Sequence, residues 1–319
     1  MDSTPLYMKN ARIGYPGGHV LFDNLNLSLN RGQLVCFMGP NGIGKSTLIR
    51  TLAGTQQPLS GKIEGLGNKN VAVVLTERVN AGMMTARELV GFGRYPYLGW
   101  SVRMTEADLH KISQAVHQVR VNDLLDKPIH ELSDGQMQMV MIARALAQDT
   151  PVLLLDEPTA HLDLNNRVEV MNLLRKLAKE NNKAILVSTH ELDLALQTAD
   201  LVWLATPQKS IRMGIPEDLV LDGTFDEVFR FKGFDLKTGK VKQEPYRHTG
   251  VQLIGTGHAY LWTKNALERN GYHIDQNSGI VIEVRATTGA LAFMLQHNNS
   301  REKKPLQSIG QLLGALAQA

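Results

Sequence analysis

Gly39-Pro40-Asn41-Gly42-Ile43-Gly44-Lys45-Ser46 follows an apolar run, residues 34 to 38, and precedes Thr47-Leu48-Ile49-Arg50. The segment therefore reads as strand, glycine-rich loop and helix start. A loop that wraps the triphosphate end of ATP or GTP needs backbone N–H groups turned inward, which glycine permits by tolerating positive φ. Gly39, Gly42 and Gly44 supply that freedom, with Pro40 and Asn41 completing the loop. Lys45 can place its ammonium between the β- and γ-phosphates, and Ser46 can offer its hydroxyl to Mg²⁺. The free amides of the helix that opens at Ser46 and Thr47 point a positive dipole end at the anion. An ordinary glycine-rich turn is the competing reading, and the flanking strand and helix argue against it.

A second nucleotide-handling element is Pro151-Val-Leu-Leu-Leu-Asp156-Glu157-Pro158-Thr159. Its unbroken apolar run suits a strand buried on both faces of a parallel sheet. Ligands of such sheets sit at the carboxyl ends of the strands, so Asp156 can belong to the Mg²⁺ shell while Glu157 orients or deprotonates a water. Taken alone, the pair could simply cap a turn.

Between these elements, Ser133 and Gln136 fit a capping box, and Met139, Ile142, Ala143 and Leu146 recur at helical spacing behind them. The helix start is a second anion site, and one nucleotide seldom needs two γ-phosphate sites in one chain. A head-to-tail dimer accounts for the surplus, each helix start closing over the nucleotide held by the other copy. A merely well-capped helix is the alternative.

These groups need a scaffold. The chain has 319 residues, more than one typical domain and fewer than three. A hydrophobic content of 43% suffices for a real core. No apolar stretch approaches the ~20 residues of a membrane span, and Met1-Asp-Ser-Thr-Pro5 has no basic-then-apolar leader, so the chain is expected in the cytosol. The single cysteine, Cys36, excludes an internal disulfide and reads as a small core residue. A net charge of +3 without a basic, aromatic-interleaved stripe gives no argument for nucleic acid. Residues 6 to about 29 are expected as antiparallel β, with turns at Tyr15-Pro-Gly-Gly18 and Asp23-Asn24. Residues 85 to about 126 are expected helical, with Thr105 to Asp108 opening a segment whose Leu109, Ile112, Ala115 and Val116 mark one face. Alternating strands and helices from 152 to 205 imply a parallel sheet, followed by short helices at 217–221 and 225–229.

The loop at Gly39, Leu132-Ser-Asp-Gly-Gln136, the Asp156-Glu157 strand and Ser188-Thr-His190 at the end of another apolar strand occur in an order and spacing that resemble the ATP-binding subunits of ABC transporters. The resemblance covers about the first 240 residues. It implies an α/β P-loop NTPase fold of ABC type, with a mixed-sheet core, an antiparallel β subdomain and a helical subdomain at about 85–150. It also implies ATP and Mg²⁺ sandwiched between two subunits, contacted by Ser133, Gly135 and Gln136 of the facing copy. Asp134 departs from the family, where glycine is commoner, and is expected to face away from the incoming phosphate. In it Tyr15 stacks on adenine, Glu157 is the general base, His190 the γ-phosphate sensor and Asp163 a residue of the dimer-contacting loop. Glu77 aligns with the family's usual magnesium-binding glutamine, a departure that adds negative charge near the triphosphate.

Met84-Thr85-Ala-Arg-Glu88 opens with a capping box and runs into an aromatic, proline-stopped helix end, residues 92 to 100. This stretch resembles the subunits of iron–siderophore, haem and cobalamin importers, which implies a permease partner above the helical subdomain and, indirectly, a substrate-binding protein. Arg94, Tyr95 and Trp100 are candidates for the permease surface or for packing within the subdomain. The implied location is the cytoplasmic face of the cell membrane, held peripherally. Residues 248–319 read as β-α-β-β-α, a small α+β domain expected as half of a ferredoxin-like unit that completes its sheet with another copy. Its Gly255-Thr-Gly257 is better read as a tight turn than as an anion site. The expected activity is ATP hydrolysis driving import. A soluble ABC-type ATPase that remodels a partner complex, and a binding module that never hydrolyses, are the alternatives.

Overall fold

Strands β1 (Leu6–Tyr15) and β2 (His19–Leu29) pair antiparallel around a Pro16-Gly17-Gly18 turn in the computed structural model of the chain. The structure describes residues 5–67, 69–76, 82–100, 102–231, 233–236, 240–241, 245–287, 290–297 and 303–318. The turn expected at Asp23-Asn24 is instead a bulge inside β2. The register jumps from Ala11↔Leu25 to Ile13↔Phe22, and Asn24 takes up the extra residue at φ 50°. Asn and Asp signal a turn and a bulge alike, because both require a left-handed residue.

β3 (Leu34–Met38) is wholly buried and runs into the phosphate loop and helix α1 (Lys45–Leu52). β4 (Ser60–Glu64) returns to the other side of β1, giving a three-stranded sheet β2-β1-β4. β5 (Val71–Val74) precedes the helical subdomain, made of α2 (Ala86–Gly91), a 3₁₀ segment Phe92–Tyr97, α3 (Glu106–Val119) and α4 (Asp134–Ala147). Capping boxes at Thr85/Glu88, Thr105/Asp108 and Ser133/Gln136 start the three helices. The helix expected to stop at a proline ends earlier, at Gly91, and Pro96 lies within the 3₁₀ segment, whose i→i+3 bonds tolerate it.

Next come β6 (Val152–Asp156), α5 (Leu164–Glu180), β7 (Ala184–Ser188), α6 (Leu192–Thr198), β8 (Leu201–Ala205) and β9 (Ile211–Gly214). The core sheet has the order β5-β6-β7-β3-β8-β9, parallel except for β9. Every residue of β3, β6 and β7 is buried, the apolar-run signature of central parallel strands. α7 (Pro216–Leu221) and α8 (Thr224–Phe229) end this unit, which spans Met1–Arg230.

The second unit, Phe231–Ala319, holds a short hairpin of β10 (Phe234–Asp235) and β11 (Lys240–Val241). Then follow β12 (Gly250–Ile254), α9 (Gly257–Arg269), β13 (His273–Ile274), β14 (Ile280–Thr287), β15 (Ala290–His297), β16 (Lys304–Leu306) and α10 (Ile309–Ala317). The sheet order is β13-β12-β14-β15-β16. β12 and β14 are adjacent and parallel across α9. The ferredoxin-like half expected from the sequence is therefore corrected: that arrangement splits its βαβ unit with an intervening strand, and here the pair is unsplit. Val251, Leu253, Ile282, Phe293 and Leu295 pack with Leu267, Leu312 and Leu316 of the two helices in this unit's own core. Among the described residues no helix is long and apolar enough to cross a membrane.

Candidate functional site

The phosphate loop forms because β3 and α1 converge at a point where the chain must turn through residues with positive φ. Gly44 sits at φ 111°, a conformation that favours glycine, and a Cβ there would also press on Leu21 Cδ1 at 2.9 Å. Lys45, 6% exposed, donates from Nζ to the carbonyls of Gly39 at 3.0 Å and Pro40 at 3.2 Å. Burial lowers its pKa, while Glu157 and Asp156 act in the opposite direction. No ion-pair partner holds it among the described residues, so a buried ammonium is left facing whatever anion enters. That disposition fits a phosphate.

Across from the loop, β6 and β7 end side by side. Asp156, 4% exposed, accepts the Ser188 hydroxyl at 2.5 Å, and its backbone carbonyl accepts Thr76 Oγ1 at 2.8 Å. The Glu157 amide donates to both the Ser188 carbonyl at 3.1 Å and Ser188 Oγ at 3.0 Å. Glu157 itself lies at φ 50°, a strained setting for a glutamate that these bonds hold in place. Its Oε1 is 2.6 Å from His190 Nε2.

A cavity of about 420 Å³ lies between the two sides, lined by Tyr15, Asn41, Lys45, Ser46, Glu157 and His190 among others. Gly42, Gly44 and Thr47 line it too, and Thr47 Oγ1 is hydrogen-bonded to the Tyr15 hydroxyl at 3.0 Å. The Tyr15 ring remains half exposed at the rim. Gly39 and Pro40 are not among the lining residues, and their carbonyls hold Lys45. His19 and Leu21 also line it and were missed from the sequence, where nothing marks them beyond their place after the first turn.

Ser133, Gly135, Gln136 and Asp163 do not line this cavity. They form their own cluster. The Ser133 hydroxyl accepts the Gln136 amide at 3.3 Å, and Gln136 Oε1 accepts the Ser133 amide at 3.1 Å. Asp163 caps α5 by accepting both the backbone and side-chain N–H of Asn166 at 2.9 Å. A Cβ on Gly135 would lie 3.0 Å from that Asn166 side chain, so glycine is what lets α4 start against the α5 cap. Asp134 is exposed and lines a separate, smaller cavity. Glu77 lies outside the described residues.

In the helical subdomain the structure decides between the two readings of Arg94 in favour of packing. Arg94 is 7% exposed, donates to Asp108 Oδ1 at 2.9 Å and to the Ala147 carbonyl at 3.0 Å, and lies 4.0 Å from the Tyr97 ring centre. It is an internal strut and offers no partner surface. Tyr95 and Trp100 are exposed. Tyr95 packs edge-on to Phe92 and, with Met83, Met104, Leu109 and Ile112, lines an apolar groove of about 740 Å³ between α2 and α3. Leu109, expected in a buried helix face, is exposed in that groove. Arg144 and Gln148 donate to the Val73 and Val71 carbonyls at 2.8 and 3.1 Å, fastening α4 to the edge strand β5.

Residues 22–160 match the ABC transporter family model, and residues 247–317 match the iron ABC transporter C-terminal domain. The chain is 41% identical over 259 residues to an uncharacterized ABC transporter ATP-binding protein of Methanocaldococcus jannaschii, covering 75% of this chain and 89% of that protein. It is 33% identical over 257 residues to an achromobactin transport ATP-binding protein of Dickeya dadantii, covering 77% of this chain and 93% of that protein. Among solved structures, a metal-chelate type ABC transporter in an inward-facing conformation superposes with a TM-score of 0.65 at 28% identity, over 70% of this chain and 88% of that one. A dimeric ABC cassette bound to ADP and Pi gives a TM-score of 0.57 at 25% identity, over 66% and 98%. The chain belongs to the ABC transporter family, as an ATP-binding ATPase subunit.

Proposed function

We propose that this chain hydrolyses ATP as a head-to-tail dimer beneath a membrane permease and powers import of an iron–siderophore-type substrate delivered by a separate binding protein. One observation carries the dimer: Lys45, Glu157 and His190 share a cavity, while Ser133 and Asp163 sit together outside it. A site complete on both sides of a nucleotide then requires a second copy.

The triphosphate enters the glycine loop, where the desolvated Lys45 gains the anion that its surroundings lack. The Tyr15 ring, fixed through Thr47, offers a face for the adenine. Glu157 orients the attacking water, and His190 holds the Glu157 carboxylate while reaching toward the γ-phosphate. Mg²⁺, which needs few protein ligands when phosphates supply the rest, would be held by Ser46, Asp156 and the segment containing Glu77, and would neutralise charge on the triphosphate. Binding of ATP draws two copies together and hydrolysis releases them.

Residues 1–240 form the ATPase portion in this reading, and residues 248–319 form an accessory domain. The apolar groove between α2 and α3 receives the permease, which holds the subunit peripherally at the cytoplasmic face of the membrane. The domain match at 247–317 and the achromobactin relative support iron chelates over cobalamin or haem as the cargo.

Complementation tests the shared site. Lys45→Met and Ser133→Arg each abolish turnover alone. When the two variants are mixed, heterodimers contain one site with both residues intact, so turnover returns. A mixture that stays inactive, with both variants folded and dimer formation shown, overturns the head-to-tail reading.

A further inference from the structure

A second cavity, of about 160 Å³, lies behind the nucleotide site. Its wall combines Leu75, Met137 and Met141 with the polar side chains of Thr76, Gln138 and His161. Glu157 lines both this cavity and the nucleotide cavity, and among the described residues no other residue does. The glutamate thus forms the partition between them. Glu157 at φ 50° and His161 at φ 64° both take left-handed backbone in the loop that separates the two spaces.

Gln138 Nε2 is buried and has no hydrogen-bond partner among the described residues. Leaving an amide donor in such a state is costly, and natural cores rarely keep one without a use. Trp203 Nε1 is the other buried side-chain atom of this kind among the described residues, but it lies in the closed core of β8, whereas Gln138 lines a cavity. A water molecule takes up roughly 30 Å³ of liquid and needs two or more polar partners to be retained in a protein. The cavity has the room, and Gln138, Thr76, Asp134 and Glu157 supply the partners.

We propose that Gln138 anchors a water in this cavity, and that the water donates to the Glu157 carboxylate from the side opposite the nucleotide. The inference rests on Glu157 acting in hydrolysis, as proposed above. His190 engages one face of the carboxylate at 2.6 Å, and the anchored water engages the other. Held from both sides, the carboxylate keeps one orientation toward the attacking water. Gln138 is a positioning residue, since it reaches neither nucleotide nor reacting atoms.

Gln138→Met keeps length and volume and removes both amide hydrogens. In the full-length protein, kcat for ATP hydrolysis is expected to fall about tenfold, the worth of one hydrogen bond to a charged group. KM for ATP is expected to stay within about twofold, because the substrate contacts are untouched. The melting temperature is expected to hold or rise, because an unsatisfied polar atom has been removed. Gln138→Asn, which keeps an amide donor on a shorter side chain, is expected to retain more of the rate than Gln138→Met. Unchanged kcat in Gln138→Met overturns the proposal. A joint fall of kcat and melting temperature also overturns it, by assigning Gln138 to packing. If Glu157→Gln itself leaves turnover intact, the fault lies with the role given to Glu157 and not with Gln138.

Discussion

His190 Nε2 approaches Glu157 Oε1 at 2.6 Å across the ends of adjacent strands β7 and β6. Two residues 33 positions apart are joined because Ser188, two residues before the histidine, accepts the glutamate's amide through both its hydroxyl and its carbonyl. Glu157→Gln keeps the shape of the side chain and removes its basicity. Turnover is expected to drop by roughly 10²–10⁴-fold, the usual contribution of a positioned base, while ATP still binds and ATP-bound dimers accumulate. Turnover and gel filtration with ATP, measured together, check both halves. A variant that hydrolyses at the parent rate removes Glu157 from the mechanism.

Arg94 and Tyr95 are neighbours with opposite consequences. Removing Arg94 leaves the buried Asp108 carboxylate with only its Thr105 hydrogen bonds and frees the Ala147 carbonyl, so Arg94→Ala is expected to cost about 3 kcal/mol in chemical denaturation. Tyr95→Ala, at the exposed groove, is expected to leave stability and basal ATPase near parent values while reducing recovery of the permease in detergent co-purification. Equal loss of stability in both variants argues against this division of labour.

Acid sensitivity follows from Asp108. Hydrogen bonds from the Thr105 hydroxyl and amide, then from Arg94, bring its pKa from 3.8 to about 2. A carboxylate lowered by folding stabilises the native state above its unfolded pKa and withdraws that support as pH falls toward the folded one. The contribution is thus complete at neutral pH and lost between about pH 3.8 and pH 2. Thr105→Val is expected to flatten the stability curve in that interval, as read by denaturant midpoints at stepped pH. An unaltered slope counts against Asp108 as the group responsible.

Cys36, with no exposed surface in the middle of β3, has its thiol pushed up to about 12 by burial and, secondarily, by Asp200. At pH 8 it is expected to resist iodoacetamide in the folded protein and to react once the chain is denatured. Mass spectrometry before and after denaturant distinguishes the two states. Rapid labelling of the native protein is inconsistent with the burial described.

The central strands were legible because their all-apolar runs are rare outside parallel sheets, and each ends in residues whose types announce phosphate chemistry. The capping boxes at Thr85/Glu88 and Ser133/Gln136 were equally plain, being local in sequence, and Thr105 to Asp108 marked a third helix start. Arg94 was left between two readings because arginine on an aromatic segment looks alike whether it faces solvent or a carboxylate 14 residues away, and only the packing of α3 against the 3₁₀ segment decides. Gln138 gave no signal at all, since its neighbours Leu75, Thr76 and Glu157 come from distant parts of the chain. β13 and β16, with two and three residues, are too short to display any alternation.

Those same two strands border the second unit's sheet. Their brevity offers a foreign strand only two and three residues on which to pair directly, one of the ways in which sheets blunt their margins. The shielding is partial, because β16 pairs with only Phe293, Met294 and Leu295 of the eight residues of β15, and any strand added on that side would have to seat beside this short border.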